Sequence, residues 1–279
     1  MTPPGWSGPR AVLTLAAYAS FTLALIPVQA AALLVSRRLA RRIPVAYHRV
    51  CRRILGVRVR VRGRRARRSP VLYASNHASY LDIMILASLI PGSFVAKNEV
   101  GDWPFFGLLA KLQRTLFVSR RRQDAQADRD NIRRRLAAGD NLILFPEGTS
   151  SDGNRVLPFK SALFAVADAG GDDLRIQPVS ITYVQLRGMP MGRHWRPFFA
   201  WYGDMEMAPH IWTLAGLGAM TVVVDFHPEL RAGDFPDRKA LAVRCEEIVR
   251  GGVQKALSGG IAGTSRSLRA AARRRRRRS

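Results

Sequence analysis

The sequence predicts an α/β protein, with a mostly parallel central sheet flanked by helices and an N-terminal membrane-associated helical segment. Three observations predict it. From Val71 onward, short β-branched and apolar runs alternate with longer helix-type runs, the order that builds a parallel sheet. Two of the short runs, Val71-Leu72-Tyr73-Ala74 and Leu142-Ile143-Leu144-Phe145, are apolar throughout, as strands covered on both faces are. Residues 11–36 carry no charge and are long enough to cross a bilayer, and a dense run of arginine follows them.

Taken in order, residues 11–36 are moderately hydrophobic, and Pro27 leaves a full span and a re-entrant helix both open. Val28-Gln29-Ala30 resembles a signal-peptide cleavage site, but the apolar run continues past it to Val35. Arg10 precedes the segment, whereas Arg37, Arg38, Arg41, Arg42, Arg49, Arg52 and Arg53 follow it. The positive-inside rule therefore puts the body of the protein on the cytoplasmic face of the cell membrane. Residues 37–53, with Leu39, Ile43, Val50 and Ile54 interleaved, read as a basic amphipathic helix beside the membrane, interrupted near Pro44.

Residues 57–62 alternate Val and Arg, which predicts a half-exposed strand ending at Gly63, and residues 64–68 form a basic loop. Strands then follow at 71–75, 93–97, 115–119, 141–145 and 175–184, with helices at 80–90, 103–112, 123–138 and 159–169 between them. Two more strands at 197–203 and 219–226 and a helix at 238–257 complete the core. This divides the chain into an anchor with its basic helix (1–56), a catalytic-type domain (57–257) and a Gly/Ser/Ala/Arg-rich tail (258–279) of disordered composition.

The charge is +25, from 45 Lys and Arg against 20 Asp and Glu, which points to an anionic partner: a membrane surface, a nucleic acid or an acidic protein. Stacking aromatics at nucleic-acid spacing, a helix-turn-helix pattern and a zinc pattern are all missing from the sequence, and the apolar segment ahead of the basic run favours lipid over nucleic acid. Cys51 and Cys245 stand far apart, without metal-ligand spacing, so neither a disulfide framework nor a zinc site is indicated and a reducing compartment fits.

The chemistry concentrates at two strand ends. Ser75-Asn76-His77-Ala78-Ser79-Tyr80-Leu81-Asp82 follows the first apolar run and brings an imidazole near a carboxylate. Five residues on a helix turn through about 500°, leaving the two side chains about 140° apart round the barrel. His77 therefore reaches Asp82 only from the turn before the helix, with Asp82 in the first helical turn. Ser79 with Asp82 three residues on is also a start-of-helix pattern, so a plain helix cap is the competing reading. The second strand end, Leu142 to Ser151, again runs into a polar, Gly-containing turn, and paired strand ends are where open α/β sheets build sites.

Asn76-His77 with Asp82, and Phe145-Pro146-Glu147-Gly148-Thr149, resemble the first and third motifs of the glycerolipid acyltransferases, the 1-acylglycerol-3-phosphate O-acyltransferase family. Lys97-Asn98-Glu99 with Pro104 and Gly107, then Leu116-Phe117-Val118-Ser119-Arg120, resembles the second motif, and Gln177-Pro178-Val179-Ser180-Ile181 the fourth. The resemblance covers residues 57–230 and implies a membrane-bound lysolipid O-acyltransferase of phospholipid biosynthesis. His77 would be the general base and Asp82 its orienting partner. The acceptor hydroxyl would attack the thioester directly, so no covalent acyl-enzyme is implied and Ser79 is not a nucleophile. Asn76 or nearby backbone N–H groups would serve the oxyanion, while Lys97, Arg120, Glu147, Gly148 and Thr149, with Arg155 and Lys160 as further candidates, would hold the headgroup. His210, Trp212 and Asp204 read as packing or surface residues, and His227 as a strand end.

The donor would be acyl-CoA or acyl-carrier protein, with no cofactor and no metal. 1-Acyl-sn-glycerol-3-phosphate, giving phosphatidic acid, is the first acceptor that the resemblance implies. A lyso-ornithine lipid is the second, because family members using the phosphate commonly carry Arg after Glu-Gly-Thr where this chain has Ser150.

Overall fold

The computed structural model describes residues 5–119 and 121–259, so Arg120 and residues 260–279 of the tail lie outside the described residues. Two helices lead. α1 (Gly8–Val35) and α2 (Arg37–Ile54) run antiparallel, since Thr22 faces Tyr47 (Oγ1 to OH, 2.9 Å) and Gln29 reaches Ala40 O (3.1 Å). The breaks expected at Pro27 and Pro44 do not occur. Each proline removes one helical hydrogen bond, and packing between the helices carries the chain through. The chain turns at Ser36 instead. Its extended backbone ends α1, and its hydroxyl accepts from Leu39 N to start α2.

The strands are β1 (Val57–Gly63), β2 (Val71–Ser75), β3 (Gly92–Lys97), β4 (Leu116–Val118), β5 (Asn141–Leu144), β6 (Arg175–Leu186), β7 (Met189–Pro190), β8 (Met220–Phe226) and β9 (Leu230–Arg231). Among the described residues they make one sheet in the order β1-β8-β6-β2-β5-β3-β4, with β7 and β9 paired to β6. β6, β2, β5, β3 and β4 are mutually parallel, whereas β8 runs antiparallel to β6 and carries β1 parallel to itself. The carboxyl ends of β2, β3, β4 and β5 thus point the same way.

The remaining helices are α3 (Leu81–Ala87), α4 (Phe106–Leu112), α5 (Ala125–Ala137), α6 (Ala165–Gly170), α7 (Met207–Leu217) and α8 (Arg238–Leu257). They cover both faces of the sheet, and the two cores divide by the period-two rule. On β2, Val71 and Tyr73 face the core built with α3 and α7, while Leu72 and Ala74 face the core built with α6 and α8.

Residues 197–203 are not the expected strand. A short 3-10 turn at Arg196–Phe198 occupies the start, Pro197 has no N–H to give a ladder, and Trp201 N bonds to Ala78 O at 2.8 Å. α7, which follows, has apolar residues all round because α1 covers one side and the sheet the other, so no amphipathic period marks it. α4 begins at Phe106, three residues later than expected, after Phe105 takes a left-handed backbone (φ 62°).

Candidate active site

His77 lies in the loop between β2 and α3, and Asp82 is the second residue of α3, the placement that their spacing requires. His77 Nδ1 stands 3.0 Å from Asp82 Oδ2. The same oxygen accepts from Ala78 N (2.7 Å) and Ser79 N (2.9 Å), and Oδ1 accepts from Tyr183 OH (2.7 Å). Asp82 is fully buried, so this set of donors is what holds its charge there. The bond to Ser79 N is also a helix-start bond, so cap and partner are one carboxylate performing both tasks. Burial, and then the charge of Asp82, raise Tyr183 far above its ordinary pKa, which keeps it the donor.

With Nδ1–H held by a carboxylate, the lone pair of His77 sits on Nε2. The side chain is 17% exposed, and its ring stacks on Phe145 (centroids 4.0 Å, planes 16° apart), which fixes the face it presents. Such an imidazole can take a proton from a hydroxyl at Nε2 and pass the positive charge to a partner already in place.

The second strand end wraps the first. Glu147 Oε1 accepts from His77 N (2.8 Å), its Oε2 accepts from Leu157 N (3.0 Å), and Ser151 N donates to His77 O (2.9 Å). Glu147 is 1% exposed, and burial pushes its carboxyl up to about 8 against the pull of those two N–H groups. It pins the His77 loop to the turn that follows β5. Asn76 is held likewise: its amide donates to Ile181 O (2.9 Å) and accepts from Ile181 N (2.8 Å), and at 3% exposure it bolts the loop to β6.

Gly148 needs its left-handed backbone (φ 68°), and a side chain there would meet Lys160 Nζ at 3.2 Å, so the Lys160 ammonium closes over the turn. Thr149, Arg155 and Lys160 are exposed around this turn, and Lys97 is half-buried at the carboxyl end of β3. Lys97 and the Gly148 turn thus stand at the carboxyl ends of β3 and β5, the same edge of the sheet as the His77 loop. Tyr183 lies outside the motifs, and Phe145 stands inside the third motif but had no role assigned to it. Tyr183 follows Val179 and Ile181 at the same two-residue spacing, which puts all three on the face of β6 that carries the site. His210 was given no role and is buried, its Nδ1 3.0 Å from Tyr80 OH.

Beside the site an apolar cavity of about 300 Å³ runs between α1, α2, α3, α4 and α7. Leu81 and Phe94 line it, and Phe94 stacks on Phe145, which stacks on His77, so the cavity begins one ring away from the base. Among the described residues, no group of three His, Cys, Asp or Glu is placed to hold a metal ion.

A carboxylate-held imidazole at paired strand ends, with cations on the neighbouring strand end and turn and a greasy cavity at its side, is the equipment of an acyl-transfer enzyme acting on lipid. The Acyltransferase family model matches residues 58–182. Lyso-ornithine lipid O-acyltransferase of Brucella abortus is 44% identical over 256 residues, 90% of this chain and 96% of that protein. 1-Acyl-sn-glycerol-3-phosphate acyltransferase of Neisseria gonorrhoeae is 35% identical over 182 residues, 64% and 68% of the two chains. The crystal structure of the 1-acyl-sn-glycerophosphate (LPA) acyltransferase PlsC from Thermotoga maritima shares the fold, with a TM-score of 0.63 at 20% identity over 88% of this chain and 94% of that one. The chain belongs to the acyltransferase family and is a lysolipid O-acyltransferase.

Proposed function

We propose that the protein acylates a lyso-ornithine lipid, with 1-acyl-sn-glycerol-3-phosphate as the second reading. The observation that carries this choice is the match to the Brucella abortus enzyme along nearly the whole of both chains, where the phosphate-using relative aligns over about two thirds. Ser150 agrees with it. A hydroxyl does not replace a bidentate guanidinium as a phosphate ligand. Lys97, Arg155 and Lys160 remain as cations for the phosphate in the second reading. Arg120 joins them as a proposal from the motif.

In the reaction the acceptor hydroxyl gives its proton to His77 Nε2 and its oxygen attacks the thioester carbonyl. The new ester bond forms, the C–S bond breaks, and the thiolate leaving group takes the proton back from His77. Asp82 holds the imidazolium between the two transfers. The fatty chain of the thioester lies in the cavity beyond Phe94. Acyl-CoA or acyl-carrier protein is the donor, and no cofactor enters the steps.

The protein works on the cytoplasmic face of the membrane, whose anionic lipids attract the arginines that follow α1, and α1 lies in that leaflet. Among the described residues α1 is the one helix long and apolar enough to cross a bilayer. Both of its ends are tied to the catalytic domain, however. Ser7 N bonds to Gly216 O (3.1 Å) and Trp6 packs on Trp212 at one end, and Gln29 Nε2 bonds to Leu112 O (2.9 Å) towards the other. At 28 residues, or about 42 Å, a crossing helix would carry one end away from the domain. Exposed Trp103, Phe105, Phe106 and Leu108 at and before α4 add apolar surface to the outward face of α1.

The test is to offer the purified protein both lysolipids, with acyl-CoA and with acyl-carrier protein, and to repeat with Ser150→Arg. Acylation of the lyso-ornithine lipid, with activity on the phosphate gained by Ser150→Arg, is the expected result. Acylation of the phosphate alone by the wild type overturns the choice of acceptor.

A further inference from the structure

A second, smaller cavity of about 120 Å³ lies at the amino ends of β3 and β5, the edge of the sheet opposite His77. Ala40, Arg41 and Pro44 of α2 form one wall. Gln113 and Arg114, in the turn between α4 and β4, form another, and Gly139 and Asp140, between α5 and β5, a third. Exposed Ser69 lines it as well, next to exposed Arg67 and Arg68.

Three guanidinium groups meet one carboxylate here. Asp140, whose side chain is 3% exposed, accepts from Arg41 Nη2, from Arg114 Nη2 (2.6 Å) and from Arg135 Nε (2.6 Å). One guanidinium neutralises it, so the other two leave an excess of two positive charges. Asp140 is the only acidic residue lining the cavity, and α2 and α4 contain none. Repulsion between cations this close, in a partly buried place, is relieved by an anion. Arg114 is also held there against its backbone preference. Its φ of 63° is the left-handed turn that ends α4, a position where glycine is the usual residue.

The groups left over on the walls are donors. Arg41 makes both of its bonds, to Asp140 and to Ala138 O (2.9 Å), through Nη2, so its Nη1 has no partner among the described residues, and the side chain is 32% exposed. Gln113 turns Oε1 to His48 Nε2 (2.8 Å), which leaves the amide Nε2 as a donor. The side-chain acceptors are already engaged: Asn141 Oδ1 accepts from Val71 N (3.0 Å), Ser93 Oγ from Arg135 Nη2, and Asp140 from the arginines. We propose that this cavity is an anion site, separate from the acceptor site, that takes a phosphate group between Arg41 and Arg114. Paired guanidinium N–H groups suit phosphate, and a cavity that can hold several waters has room for one. Bound there, the phosphate ties α2 to the turns before β4 and β5, and so the membrane helices to the sheet that carries the site. It comes either as the free ion or on the headgroup of an anionic lipid in the leaflet where α1 lies. Only the lipid source rests on that placement of α1.

Binding tests it. The full-length protein in uncharged detergent is titrated calorimetrically with inorganic phosphate and with dihexanoyl phosphatidylglycerol. Phosphate should bind the wild type, and Arg41→Gln should weaken that binding roughly 10- to 150-fold, the equivalent of one charge-assisted hydrogen bond. Ser69→Asp, which sets a carboxylate beside the cavity and leaves every bond of Asp140 in place, should weaken it as well and serves if Arg41→Gln fails to fold. Phosphatidylglycerol that binds, is displaced by phosphate and is weakened by the same substitutions supports the site with a lipid headgroup as its occupant. Binding of phosphate alone, with the same sensitivity, supports it with the free ion. No binding of either overturns the proposal. So does binding that both variants leave unchanged, or that is lost in Arg155→Gln instead, since the anion then sits at the opposite end of the sheet.

Discussion

The loop between β2 and α3 and the cavity between α1, α2 and α4 serve one substrate by opposite means. In the loop, Asp82 accepts from His77, Ala78, Ser79 and Tyr183, Glu147 holds His77 N from below, and Asn76 is bolted to Ile181. Little there can move without exposing a buried charge. In the cavity, aliphatic and aromatic walls set volume without direction. Chemistry is fixed by hydrogen bonds whose loss is steep, and chain selection by contacts whose loss is graded.

The largest expected effect falls on the base. His77→Ala should reduce turnover by ~10²–10⁴-fold with little change in melting temperature, because the ring sits at the site's mouth and makes one side-chain bond. Near-normal turnover would remove His77 from the mechanism. Asp82→Asn comes next and separates the two tasks of that carboxylate. Three donors meet Oδ2 and one meets Oδ1, so an amide must point N–H at a donor whichever way it turns. The variant should lose both turnover and about 1–3 kcal/mol of stability, where a plain cap would lose about 1 kcal/mol and leave turnover intact. Tyr183→Phe should be milder, at about 1 kcal/mol with a small loss of turnover, since three donors to Asp82 remain. A collapse of activity in Tyr183→Phe would show that Oδ1, rather than the crowded Oδ2, sets the ring's orientation.

The loop was legible in the sequence and the cavity was not, for the same physical reason. His77 and Asp82 are close in the chain, so spacing alone forced His77 into the turn and Asp82 into the helix. Their motif context supplied Glu147, but not its bonds to His77 N and Leu157 N, because backbone N–H partners leave no mark on sequence. Tyr183 lies 101 residues from Asp82, and only the pairing of β6 with β2 brings it there. The cavity is assembled from five helices, among them α7, whose uniform apolarity hid it from any periodic test. Gln29 stands in an apolar run and His48 in a basic one, and their partners Leu112 and Gln113 lie far along the chain.

The smallest expected effect probes the buried ring of His48 through pH. His48 has an ordinary imidazole pKa near 6.5 when unfolded, and burial lowers it to about 4 in the fold. Between those values the unfolded chain binds the proton and the folded chain does not, so stability is complete above about 6.5 and declines as the pH falls towards 4. His48→Phe cannot take up that proton. Its melting temperature should therefore fall less steeply than the wild type's across this window, even if its absolute value is lower through loss of the bond to Gln113. Glu147 acts with the opposite sign. Its carboxyl, raised from 4.5 to about 8 by burial, makes stability decline as the pH rises through that range, so the His48 effect is read as a difference between the two proteins, in which Glu147 cancels. Parallel melting curves for wild type and His48→Phe would mean that His48 is hydrated enough to titrate normally. The unpaired Nδ1 would then be met by solvent rather than buried.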